Sequence, residues 1–180
     1  MTPPLPETPR RRATEAEARA LASALRLRIL RLCLDDELTN KEIAERLDRD
    51  PASVLHHVRK LVDTGFLQPL EPRRGARNAR EVPYRATGKS WRLEVGERQG
   101  HRSQSAVMLE AFLDELGEAG GELVDASRLG LRLNDAHREE FSDRLSALLN
   151  EFAARPPDPD GERWSIFYGM HADRRGRRSG

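Results

Sequence analysis

The sequence lacks much of what other protein classes need. It has one cysteine, Cys33, which excludes an internal disulfide and any zinc cluster built from several cysteines. No apolar run approaches the roughly 18 residues of a membrane-spanning helix, and there is no signal-peptide pattern, so a cytoplasmic location is expected and membrane insertion is not. No Ser-His-Asp or Cys-His arrangement, phosphate loop or carboxylate cluster falls at catalytic spacing, which argues against an enzyme. Lysine is scarce beside arginine, a bias that carries no functional message by itself. The hydrophobic share is a modest 37% and the charged share a high 34%, as in a helix-rich chain. Its 180 residues leave room for one binding domain and a smaller companion.

What is present is unevenly spread. The net charge of +1 conceals two opposed blocks. Residues 51–92 hold nine Lys/Arg against three Asp/Glu, whereas residues 101–160 hold six against thirteen. One half therefore suits a polyanion and the other faces something else.

The basic half contains Thr39–Gly65, TNKEIAERLDRDPASVLHHVRKLVDTG, which reads as two helices and a tight turn. Thr39 and Glu42 form a capping box, each satisfying a backbone N–H at the helix start. Ile43, Ala44 and Leu47 give that helix an apolar stripe. Pro51 suits the first turn of a second helix, where its missing N–H has no partner to lose. Val54, Val58 and Leu61 share one face of it, and Gly65 ends it in the left-handed conformation. The other face carries Ala52, Ser53, His56, Arg59 and Lys60, with His57 on a flank, side chains able to reach base edges and phosphates in a major groove.

Upstream, residues 1–13 are proline- and arginine-rich and are expected as a disordered arm. Thr14 and Glu17 form a second capping box that opens a helical stretch to about Asp35, with a break near Ser23. Cys33 lies within its apolar pattern and is expected to pack. Downstream, Phe66–Leu70 and Val82–Ala86 read as strands around an arginine-rich tip containing Arg73, Arg74, Arg77, Asn78 and Arg80, a hairpin suited to phosphate contact or minor-groove insertion.

The run ALRLRILRLCLDDELTNKEIAERLDRDPASVLHHVRKLVDTGFL, followed by REVPYRAT, resembles the winged helix-turn-helix of ArsR/SmtB-type bacterial transcription regulators over about Leu21–Thr87. The resemblance implies a homodimer on a palindromic operator, usually acting as a repressor. It implies DNA contacts from Ser53, His56, His57, Arg59, Lys60 and the arginine wing, and Thr39 and Lys41 join these candidates at the preceding helix start. Leu55 departs from the pattern, standing where such regulators commonly place a serine. The family's metal sites do not carry over. Its cysteine pair would fall near Thr39–Lys41, occupied by Thr, Asn and Lys, and Asp135-Ala-His137 lies on a different element. No cofactor or metal is implied.

Beyond the wing, His101–Gly117 is expected as a helix with Val107, Met108, Leu109, Phe112, Leu113 and Leu116 on a broad apolar face, covered by a partner helix or by the C-terminal part. Gly120-Gly121 is a break, and Leu129, Leu131 and Leu133 alternate as in a strand. Asn134 caps a helix to about Ala154 striped by Phe141, Leu145, Leu148, Leu149 and Phe152. After the turn-rich residues 156–162, Trp164–His171 is expected as another strand, and Trp164, Phe167, Tyr168 and Met170 are candidates for lining an effector pocket. The basic tail 172–180 is expected to be disordered.

The expected fold is mainly α with small β elements. A winged helix-turn-helix domain over 14–92 precedes a C-terminal helix and a strand-helix-strand dimerisation or effector module over 100–171. The expected function is sequence-specific binding of double-stranded DNA by a homodimeric regulator, with a small-molecule effector as a candidate further partner. The alternative is a winged-helix module that binds protein, or nucleic acid without sequence preference.

Overall fold

The computed structural model describes residues 11–75, 80–94, 103–121, 123, 125–156 and 158–172. The chain divides into two compact units, residues 9–121 with 167–180 and residues 122–166 with 1–8.

The larger unit begins with β1 (Arg11–Arg12) and α1 (Glu15–Leu21), which the capping box of Thr14 and Glu17 starts as its sequence predicts. Ser23 breaks the helical stretch by capping α2 (Ala24–Asp35). β2 (Leu38–Thr39), α3 (Asn40–Arg46) and α4 (Pro51–Asp63) follow, then β3 (Leu67–Pro69), the short hairpin of β4 (Arg73–Arg74) and β5 (Arg80–Glu81), and β6 (Pro83–Ala86). A 3₁₀ turn over Lys89–Arg92 leads into β7 (Leu93–Glu94), and α5 (Gln104–Glu118) closes the unit.

β6 is the centre of a three-stranded antiparallel sheet in the order β2-β6-β3, with Leu38 opposite Tyr84 and Leu67 opposite Ala86. Two of these strands match the sequence expectation. β2 does not, because a two-residue strand leaves no periodicity to read. The core under the sheet is fully buried and draws Ile29 and Cys33 from α2, Ile43 from α3, Val54, Val58 and Leu61 from α4, and Phe66. Burial pushes the Cys33 thiol up to about 12, so it packs as a small apolar side chain and is not a reactive one.

The N-terminal arm corrects the expectation of disorder at its end. Arg11–Arg12 pair in parallel with Leu93–Glu94, and the Ala13 N–H donates to the Glu94 carbonyl at 2.9 Å. Buried Glu17 anchors this closure. It accepts from Arg11 through both guanidinium nitrogens, at 2.6 and 2.9 Å, and from the Lys89 ammonium at 2.7 Å. The hydrogen bonds from Arg11, then from Lys89, hold its carboxyl far below the ordinary range despite burial.

α5 packs on α2 through Val107 and Ala111, leaving Met108, Leu109 and Leu113 exposed. Phe112 stacks on Phe167 at 5.4 Å between ring centroids. The break at Gly120-Gly121 is formed by two residues at positive φ, +87° and +77°.

In the second unit Asn134 caps α6 (Asp135–Ala153) as its sequence predicts, its Oδ1 accepting from the His137 N–H at 2.8 Å. No residue of α6 is buried. The two expected strands are not formed, either at Leu129–Leu133 or at Trp164–His171. Alternation specifies which side chains share a face, but a strand also needs a neighbouring strand for its N–H and C=O groups. Of the residues expected to line an effector pocket, Trp164, Tyr168 and Met170 are exposed and Phe167 is half-buried against Phe112.

Candidate nucleic-acid interface

α3 and α4 are joined by a turn whose geometry is specified residue by residue. The Asp48 N–H donates to the Glu45 carbonyl and the Arg49 N–H to the Ala44 carbonyl, the crossed bonds of a Schellman cap. Asp48 holds the left-handed position at φ 49°, which glycine usually takes. Asp50 then caps α4, its Oδ1 accepting from the Ala52 and Ser53 N–H groups at 2.9 and 3.0 Å. Asn40 at the start of α3 donates to the Pro51 carbonyl at 2.9 Å, tying the two helix starts together. At the other end of α4, the Gly65 N–H donates to Val62 and the Phe66 N–H to Leu61, with Gly65 at φ 71°.

With one face of α4 buried by Val54, Val58 and Leu61, the other presents Ala52, Ser53, His56 and Arg59 to the surface. Lys60 and Leu55 are half-buried at the flanks. His57 is also half-buried, its ring edge-on to His56 at 5.7 Å and its Nδ1 3.4 Å from an Arg26 guanidinium nitrogen. Burial, then the Arg26 and His56 charges, push His57 below its ordinary pKa, which favours the neutral ring. His57 thus docks α4 against α2, a role hidden in the sequence because its partner lies 31 residues away.

Two further candidates are engaged by Glu42. Thr39 is only 3% exposed, and its hydroxyl donates to Glu42 Oε2 at 2.8 Å while accepting from the Glu42 N–H. It is a cap with no face toward the surface. Arg73, at the base of the hairpin, donates through one nitrogen to both Glu42 oxygens, at 2.7 and 2.8 Å. Glu42 therefore caps α3 and holds the wing at once. Burial pushes its carboxyl up, but the Thr39 hydrogen bonds and the charges of Arg73 and Arg46 outweigh this and keep it below its ordinary pKa.

Arg74 and Arg80 are both exposed and stand directly opposite each other across the hairpin. Like charges at paired positions repel, so this arrangement favours an anion beside it. Arg77 and Asn78 lie outside the described residues. Lys41 is exposed on α3, with its ammonium 3.7 Å from Glu45. Among the described residues no cluster of three or more His, Cys, Asp or Glu is placed to hold a metal ion, and no helix is long and apolar enough to cross a membrane.

Residues 21–68 match the family model of a helix-turn-helix domain. Among solved structures, reduced HlyU from Vibrio cholerae is 21% identical, with 58% of this chain and 84% of that chain covered and a TM-score of 0.34. An apo mutant of Lactococcus lactis ZitR is 25% identical over 75% and 86% of the two chains, with a TM-score of 0.32. Wild-type ZitR in complex with DNA is 24% identical over 72% and 74%, with a TM-score of 0.31. No curated protein matches the chain. The family match spans α2 to β3, and the sheet and arginine hairpin that follow complete the unit: this chain carries a winged helix-turn-helix domain.

Proposed function

We propose that this chain is a sequence-specific DNA-binding transcription regulator, acting as a homodimeric repressor on a palindromic operator. The observation that carries the reading is the outer surface of α4. A doubly capped helix with a fully buried inner face presents Ser53, His56 and Arg59 outward, beside a hairpin whose exposed Arg74 and Arg80 have no ion-pair partner among the described residues. In this reading Ser53, His56 and Arg59 reach base edges in the major groove, while Lys41, Lys60, Arg74, Arg77 and Arg80 face phosphates. Thr39, His57 and Arg73 act indirectly by fixing the reading surface. The unburied stripe of α6 supports a dimer, because a second copy would cover Leu145, Leu148, Leu149 and Phe152. Two copies would set half-sites about one helical turn apart.

The test is selection of binding sites from a random DNA pool at near-physiological salt. An inverted repeat is the expected result. Recovery of no motif by the folded protein would overturn the reading and favour a protein-binding or non-specific role. Arg80→Ala should then weaken binding to all sequences and lower the salt slope by about one, whereas His56→Ala should change base preference.

A further inference from the structure

His57 sits where the buried and outer faces of α4 meet. It lies one turn after Val54 and one turn before Leu61, both fully buried, and next to exposed His56. Across from it stands Arg26, in the first turn of α2. Two Arg26 nitrogens are committed elsewhere. Nε donates to the Ala20 carbonyl, and Nη2 donates to the Arg19 carbonyl at 2.7 Å, both at the C-terminal end of α1. Nη1 remains, and it approaches His57 Nδ1 at 3.4 Å. The guanidinium is thus pinned from α1 in the position that meets the ring.

That partner decides the state of the imidazole. A guanidinium only donates and keeps its charge, so the nitrogen it faces must be the unprotonated one. His57 therefore carries its proton on Nε2. A second proton would enter at Nδ1, turning the acceptor into a donor and setting an imidazolium against a fixed guanidinium. Burial of the ring opposes that charge, and so do the two charges that act on it, Arg26 from α2 and His56 from α4. Both are of one sign, and among the described residues no carboxylate offsets them.

We propose that Arg26 is a positioning residue for the outer face of α4, acting through His57, and that their contact is a latch which a proton opens. Closed, it holds the flank of α4 that carries Ser53 and His56 against α2. A proton taken from solvent at Nδ1 removes the acceptor that Arg26 uses and frees that flank. The consequence for DNA rests on the reading proposed above, in which Ser53 and His56 reach base edges; the latch itself does not.

The test has one arm without DNA and one with it, both on the full-length protein. In the first, the ring nitrogens of His57 are followed by NMR from about pH 8 to about pH 5.5, the range in which histidine changes charge. The ring should hold its proton on Nε2 at the upper end. His57→Gln keeps an acceptor for Arg26 and takes up no proton, so its latch stays shut. A folded pKa below the ordinary value gives stability that is present above that value and lost as pH falls through it toward the folded one. The melting midpoint should therefore fall further across this range in the parent than in His57→Gln. In the second arm, affinity for the selected operator relative to random DNA is measured at both ends of the range, which cancels general phosphate attraction. Acid should lower this ratio about fivefold or more in the parent and by less than about twofold in His57→Gln. A proton on Nδ1 at the upper end, or an equal acid response of parent and variant in either arm, overturns the proposal. If the parent selects no operator, the DNA reading fails while the first arm still decides the latch.

Discussion

α4 and α6 are both amphipathic helices with side-chain caps at their starts, and they meet opposite surroundings. α4 buries Val54, Val58 and Leu61 completely against the α2, α3 and sheet core. α6 is longer, 19 residues against 13, and buries nothing. An apolar stripe therefore specifies that a face must be covered without specifying by what. Helices are held mainly by such cover and little by propensity, so α4 should be as stable as its domain and α6 only as stable as whatever covers it.

The largest expected effect tests that difference directly. Leu61→Ala should cost about 2–5 kcal/mol at any protein concentration, because it opens a cavity in a closed core. Leu148→Ala should cost the dilute chain under about 1 kcal/mol while weakening self-association in sedimentation experiments. If dilute Leu148→Ala melts as early as Leu61→Ala, the contrast between the two helices is wrong.

Glu17→Gln comes next, at about 1–3 kcal/mol for lost charge-assisted hydrogen bonds. The parent's folded carboxyl keeps its charge well below the ordinary value of 4.5, so the unfolded chain takes up protons that the folded chain refuses. The stabilisation is present above that ordinary value and is lost as pH falls further toward the folded pKa. Denaturation midpoints across acid pH should therefore fall steeply in the parent and more gently in Glu17→Gln. The second unit has no buried carboxylate of this kind among its described residues, so this acid sensitivity should map to the winged domain.

Smaller effects sharpen the comparison at the helix ends. Asp48→Gly should raise the unfolding free energy, by about 1 kcal/mol, because glycine adopts the left-handed turn without steric cost. Gly120→Ala should lower it by a similar amount, since there glycine already occupies the position. The smallest effects should not distinguish the regions at all. Lys41→Ala and Arg144→Ala each remove an exposed i,i+4 ion pair, and each should change stability by no more than about 0.5 kcal/mol.

These contrasts also explain how far the sequence alone could be read. Local chemistry was legible: the capping boxes at Thr14 and Thr39, the break at Ser23, Pro51 in the first turn of α4, Gly65 after it and Asn134 before α6 all stand where residue type and spacing put them. The candidate site was legible only as a face. Spacing placed Ser53, His56 and Arg59 on one side of α4, but it could not show Arg73 held by Glu42 or His57 held near Arg26, because each contact spans 31 residues. Strand pairing was the least legible. Leu38–Thr39 pairs without any alternation to announce it, whereas Leu129–Leu133 alternates and forms no strand.

The closure around Glu17 carries a consequence for the order of assembly. Synthesis begins at the N-terminus, yet Lys89 cannot reach Glu17, nor Arg11 pair with Leu93, until the intervening α2–β6 region has been made and folded back. The entropy of closing so long a loop must be met before its contacts repay it, whereas α3 and α4 find each other within a few residues of chain. Residues 11–13, although made before the region they close on, should thus be among the last to settle, and hydrogen exchange at Ala13 should report the opening of that strap before the helices beneath it loosen.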